Sequence, residues 1–264
     1  MMPGVTPLRR GSGQTAMDPF KIGLGAERAG LHTRCNESPA IMRAKPVARQ
    51  ELPDQYVLVH RLAAQSGRCL VARRATVVFV ALATADTLLA AGRQDRPRWL
   101  TKPLLMPALM VGRDRPTQRA LALGGVGDVA LLGRSEIAFT AGLVSFLAGH
   151  IAWIIALRQR PGGGRLRARP AMAAPYLAAF GALNAYLWKR TSKDRIPVIV
   201  YSAALLAMSL AALDSGSPKT AAGGALFLVS DALLALEKFG GLHLPANECL
   251  VMATYTSAQA LLAG

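Results

Sequence analysis

From Ala75 onward the chain is a succession of apolar blocks joined by short connections in which arginine and lysine collect. This patterning constrains the fold more than any single motif. Roughly 20 residues rising 1.5 Å each cross a bilayer core, or somewhat fewer in short or bundled spans. A backbone in lipid must satisfy its own hydrogen bonds, which a helix does internally. The blocks are Ala75 to Ala91, Trp99 to Val111, Ala120 to Leu132, Ile137 to Leu157, Ala171 to Trp188, Pro197 to Leu213, Ala221 to Leu236 and Pro245 to Leu262. They predict an all-α, polytopic membrane helix bundle of about eight short transmembrane helices enclosing a polar cavity.

Composition agrees with that class. Of 264 residues, 52% are hydrophobic and 17% charged, against roughly 25% charged in soluble domains. The net charge of +16 does not indicate nucleic acid, because no basic helix is interleaved with aromatics and many basic residues lie between apolar blocks. The expected partner is the bilayer, and the expected location a bacterial-type inner (plasma) membrane crossed several times. Between the fourth and fifth blocks, RQRPGGGRLRARP holds Arg158, Arg160, Arg165, Arg167 and Arg169. It lacks the GKS/T element of a phosphate-binding loop, and its charge favours the cytoplasmic side, with both termini there as well. Cys35, Cys69 and Cys249 form no CxxC or zinc-ligand pattern, so no metal or other cofactor is expected. The oligomeric state is not legible.

Residues 1–74 are different in kind, with twelve Lys/Arg against five Asp/Glu and no apolar run of membrane length. They are expected to be disordered or weakly structured and separate from the 75–264 transmembrane domain. No apolar stretch of a signal peptide follows Arg9 and Arg10. A start placed too far upstream, with Met42 as an alternative, fits this segment. Its one helical stretch is Gln55 to Ala64, short and amphipathic, of a kind that lies on a membrane surface.

Polar residues inside the apolar blocks are the functional candidates. Leu121 to Gly133, LALGGVGDVALLG, has one carboxylate, Asp128; Ala221 to Leu236, AAGGALFLVSDALLAL, has Asp231. An aspartate at mid-membrane costs roughly 2.5–3.5 kcal/mol on insertion scales and tends to face a bundle interior or a watery cavity. Asp86, near the end of its block and followed by Arg93, is expected to be interfacial and solvated. Gly124, Gly125 and Gly127 predict close helix approach around Asp128, and Pro103 and Pro107 a kinked, packed second helix. Lys102 has two readings, a phosphate contact or a snorkelling side chain. His150 also has two, a hydrogen-bonded core residue or a functional base. Asp231 and Lys238 share a helix face roughly 10 Å apart along the axis, and Tyr255 and Gln259 are i, i+4 neighbours.

The runs TKPLLMPALM, GGVGDVALLG, F-x-x-GLVSFLAGHIAW, IPVIVYSAALLAM, GGALFLVSDALLALEKF and TYTSAQALL, in this order, resemble the YhhN family of integral membrane proteins. The resemblance covers about Ala75 to Gly264. That family includes the lysoplasmalogenases, which cleave the vinyl-ether bond of lysoplasmalogens to a fatty aldehyde and a glycerophospho-alcohol. It implies that Asp128 and Asp231 occupy the family's two acidic active-site positions. It further implies that Lys102, His150, Tyr201, Ser230, Lys238, Tyr255 and Gln259 fill polar, substrate-binding positions of the same motifs.

Two carboxyl groups suit such a reaction. Vinyl-ether hydrolysis begins with protonation of carbon, and a carboxyl group among apolar helices keeps its proton more readily than one in water. A second, ionised carboxylate stabilises the oxocarbenium ion and takes a proton from water, as in glycosidases. Which aspartate has which role is open. The expected activity is therefore a lysoplasmalogenase-like hydrolase of a membrane lysophospholipid. Two other readings stand beside it: a small proton-coupled transporter using both aspartates, and a structural membrane protein in which the acids are packing glue.

Overall fold

The computed structural model describes residues 52–264 apart from 134, 192 and 193. The expectation for the N-terminal segment therefore lies, through residue 51, outside the described residues. Ala48–Gly264 forms one compact unit. Among the described residues it is all-helical: α1 (Leu52–Ala91), α2 (Asp95–Met110), α3 (Arg115–Ala130), α4 (Glu136–Arg158), the short α5 (Arg165–Ala168), a 3-10 turn (Pro170–Ala173), α6 (Ala174–Trp188), α7 (Arg195–Asp214), α8 (Pro218–Lys238) and α9 (Asn247–Ala263). Each apolar block falls on one long helix. Helix α1 runs unbroken through the Gln55 to Ala64 stretch and the first block.

Four helical segments are long and apolar enough to cross a membrane: Leu70–Ala91 of α1, and α4, α7 and α8. The other four, α2, α3, α6 and α9, have 15 to 17 residues and rise about 23–26 Å, short of a hydrocarbon core of roughly 30 Å.

Local chemistry sets the helix starts. Asp114, Ser135 and Ser217 accept from the backbone N–H groups of Thr117, Ala138 and Thr220 at the heads of α3, α4 and α8, each occupying one donor that the first turn leaves unpaired. Proline follows within the first two positions of α3 and α8, where its missing N–H costs nothing. Pro103 and Pro107 lie inside the uninterrupted α2.

The main helix neighbours close a ring in the order α1, α2, α3, α4, α7, α8, α9 and back to α1, while α6 packs mainly on the outside of α7. Helix α4 shows what drives this arrangement. Ile137, Val144, Ile151 and Ile155 point outward, whereas Ser145, His150 and Trp153 are buried. The interior face is thus the more polar one, the reverse of a helix in water and the pattern expected where the surroundings are lipid. Glycine permits the closest contacts, as expected around Asp128. A Cβ on Gly127 would stand 2.7 Å from the Phe146 ring of α4, and one on Gly125 would stand 3.0 Å from Met106 of α2. Across the ring Ser209 donates to the Gly224 carbonyl at 3.0 Å, binding α7 to α8.

Candidate active site

A cavity of about 360 Å³ opens among the N-terminal halves of α2, α4, α7 and α9 and the C-terminal ends of α3 and α8. Asp128 and Asp231 both line it, as do Lys102, Tyr201, Ser230, Lys238 and Tyr255. His150 and Gln259 do not reach it; each is buried and bonded to a lining residue.

Asp128 is 2% exposed. Its Oδ2 accepts from the Tyr255 hydroxyl at 2.8 Å, and Lys102 Nζ lies 3.9 Å from Oδ1. Behind Tyr255, Gln259 Nε2 donates to the phenol oxygen at 3.2 Å and Trp153 Nε1 donates to Gln259 Oε1 at 3.2 Å. The Gly124 backbone admits this amide, since a Cβ there would stand 3.0 Å from Gln259 Nε2. Asp231 is held differently. Tyr201 donates to its Oδ2 at 2.7 Å; the Ser230 hydroxyl lies 3.2 Å from its Oδ1 but closer, at 2.9 Å, to the Phe227 carbonyl, and His150 Nε2 stands 3.2 Å from the Tyr201 hydroxyl and 3.5 Å from the same Oδ2. With the tyrosine proton on the carboxylate, Nε2 is the donor of that pair. The Phe227 ring meets His150 and Tyr255 edge-on at 5.0 and 5.4 Å and so separates the two groups.

Charged side chains gather toward the open end, where Asp95, Arg98, Glu237, Lys238 and Glu248 line the wall. Lys102 is 7% exposed and faces Asp128, so its side chain turns inward instead of snorkelling. Lys238 is exposed at the rim, its Nζ 4.6 Å from the Phe139 ring centroid.

Asp86 corrects the expectation of an interfacial, solvated acid. It is fully buried, accepts from Thr101 at 2.6 Å and lies 3.5 Å from Arg98 Nε, while Arg98 also binds Glu248 at 2.8 Å. The reason is the tight connection at residues 92–94, which folds α2 directly back onto α1 and closes Arg98 and Thr101 over the carboxylate. Position within an apolar block could not show this.

Several residues that shape the site carried no sequence signal strong enough to single them out. Trp153 lies three positions beyond His150 and Phe227 four before Asp231, each about one helical turn away. Neither stands out from the apolar residues around it in the linear pattern. Arg98 read as juxtamembrane charge.

Among known proteins, the model described as the YhhN family matches residues 97–264. No curated protein and no solved structure matches the chain.

Proposed function

The chain belongs to the YhhN family, and from that premise we propose that it is a membrane-embedded hydrolase cleaving the vinyl-ether bond of lysoplasmalogens. The observation that carries this reading is the convergence of Asp128 and Asp231, from distant parts of the chain, on one cavity that also holds a buried lysine. In this reading all eight long helices cross the bilayer, the four shorter ones by thinning it locally, and the cavity opens to one leaflet.

One carboxyl group donates a proton to the alkenyl carbon β to the ether oxygen, forming an oxocarbenium ion. The other carboxylate flanks that cation and takes a proton from the water that adds to it. The hemiacetal then collapses: its hydroxyl proton passes to the first carboxylate, the glycerol oxygen leaves with the proton held by the second, and the aldehyde and the glycerophospho-alcohol are released. One water is consumed and the carboxyl protons are restored. Tyr255, backed by Gln259, orients Asp128. Tyr201, Ser230 and His150 orient Asp231. Lys102 meets the lipid phosphate as a buried cation, with Lys238 at the rim.

Intramembrane aspartates also serve proton-coupled carriers. Carrier sites, however, are commonly formed where helices break; α8 runs continuously through Asp231, whereas α3 ends two residues after Asp128. The deciding experiment is aldehyde release from a lysoplasmalogen by the purified protein in detergent, beside Asp128→Asn and Asp231→Asn. Wild type is expected to release aldehyde and both folded variants to lose on the order of 10²–10⁴-fold in rate. A folded but silent wild type, with proton flux in liposomes that both variants abolish, would replace the hydrolase with the carrier.

A further inference from the structure

Asp231 lies where two cavities of opposite character meet. The charged cavity holds both aspartates and the cations. The second is a narrow crevice of about 50 Å³ between α4, α6, α7 and α8, walled by Leu143, Leu183, Leu187, Val198 and Leu205. Phe139, Tyr201, Asp231, Leu234 and Lys238 line both. The two other polar side chains of the crevice engage each other and the backbone: Ser202 donates to Asn184 Oδ1 at 3.1 Å, and Asn184 Nδ2 donates to the Phe180 carbonyl at 2.9 Å. Away from the shared residues the crevice wall is therefore mostly hydrocarbon.

We propose that this crevice seats the hydrocarbon chain of the lysophospholipid whose head group occupies the charged cavity, which sets the lipid's polar–apolar boundary beside Asp231. The identity of the ligand rests on the hydrolase reading; the division into a charged and an apolar seat rests on the geometry. In a vinyl-ether lipid that boundary is the bond to be cleaved. A lipid drawn in by its head group alone would leave the alkenyl carbons free to wander. A second seat for the chain fixes them against a carboxylate, the kind of positioning that converts binding into rate. Seating a whole chain in so narrow a crevice requires α6 to move outward; that helix packs mainly on α7 and has Leu177 and Trp188 exposed. Leu183, on the inner face of that helix and partly buried, lines the crevice but not the charged cavity.

The test is direct binding of two saturated alkyl-ether lysophospholipids with the same head group, one long-chain and one short-chain, to the purified full chain in detergent. These ligands have no double bond to protonate, so binding is read apart from chemistry. Leu183→Trp is expected to weaken the long-chain ligand about tenfold, the order that overpacking produces, and to leave the short-chain ligand unchanged. Leu183→Ala, which opens the crevice, is expected to shift preference toward the longer chain and keeps the test valid should the tryptophan variant fail to fold. Equal weakening of both ligands by Leu183→Trp, or an unaltered chain preference in the folded variants, would overturn the proposal. Loss of diacyl-lipid binding with lysophospholipid binding intact would overturn it too, by giving the crevice to a bilayer lipid. Aldehyde release by wild type, assayed separately, tells this failure from failure of the hydrolase: chain-dependent binding without hydrolysis removes the reaction and keeps the seat.

Discussion

Tyr255 on α9 and Asp128 on α3 are joined by a 2.8 Å hydrogen bond buried on both sides, and its direction is dictated from a third helix. The indole N–H of Trp153 can only donate, so it takes the oxygen of Gln259 and turns the amide nitrogen toward the phenol oxygen of Tyr255. That oxygen accepts, and the phenol proton goes to Oδ2 of Asp128. Oδ1 of Asp128 is left facing Lys102.

Tyr255→Phe keeps the ring contacts with Phe146 and Phe227 and removes the hydroxyl, which is both the donor to Asp128 and the acceptor for Gln259. A hydrogen bond to a charged group is worth about 1.5–3 kcal/mol. If the hydrolase reading holds, aldehyde release falls about 10- to 100-fold in kcat with little change in KM, as steady-state kinetics on the detergent-purified variant will read.

Trp153→Phe leaves Gln259 Oε1 buried with no donor. An unmet buried acceptor costs about 1–3 kcal/mol, so the variant melts below wild type by differential scanning fluorimetry in detergent. Unchanged melting would mean that the Trp153 to Gln259 bond contributes nothing.

Arg98→Met strands Asp86 in the α1–α2 interface, where Thr101 alone of these two partners still donates to it. Breaking a buried ion pair by removing one partner costs about 3–5 kcal/mol. Adding Asp86→Asn recovers most of that loss, so the double-mutant cycle gives a coupling well above 1 kcal/mol. Additive losses would show that the two side chains do not act as a pair.

Two glycine substitutions have opposite signs. Gly127→Ala drives a methyl group into the Phe146 ring at 2.7 Å, and overpacking of this kind costs about 1–3 kcal/mol. Gly181→Ala, in the middle of α6 with nothing within 4 Å of the added carbon, gains about 0.5–1 kcal/mol from helix propensity. Thermal unfolding of the pair checks both signs.

If every long helix crosses the bilayer, the 159–164 and 239–246 connections lie on opposite sides, because α6, α7 and α8 intervene. In a background freed of native cysteines, Gly163→Cys and Gly241→Cys should then react with an impermeant maleimide from opposite faces of sealed vesicles. Labelling of both from one face would refute the eight-span reading.

The apolar blocks were enough to place every long helix, because lipid leaves a backbone few options other than hydrogen-bonding within itself, and apart from the start of α1, which lies at Leu52 and well before the first block, the block edges fall close to the helix ends. The two aspartates stood out for the same reason, as carboxylates where an apolar side chain is the rule. What the linear pattern could not hold was partnership. Asp86 read as interfacial because its distance from the block edge was visible and the fold-back of α2 was not. Trp153 gives no signal in the linear pattern because its donor matters only through Gln259, more than a hundred residues later. His150 and Gln259 were singled out, yet they stand behind Tyr201 and Tyr255 and do not line the cavity. Periodicity fixes which face of a helix a residue occupies; only the closing of the ring decides which other face it meets, and the hydrogen bonds around Asp128 and Asp231 are made between those faces.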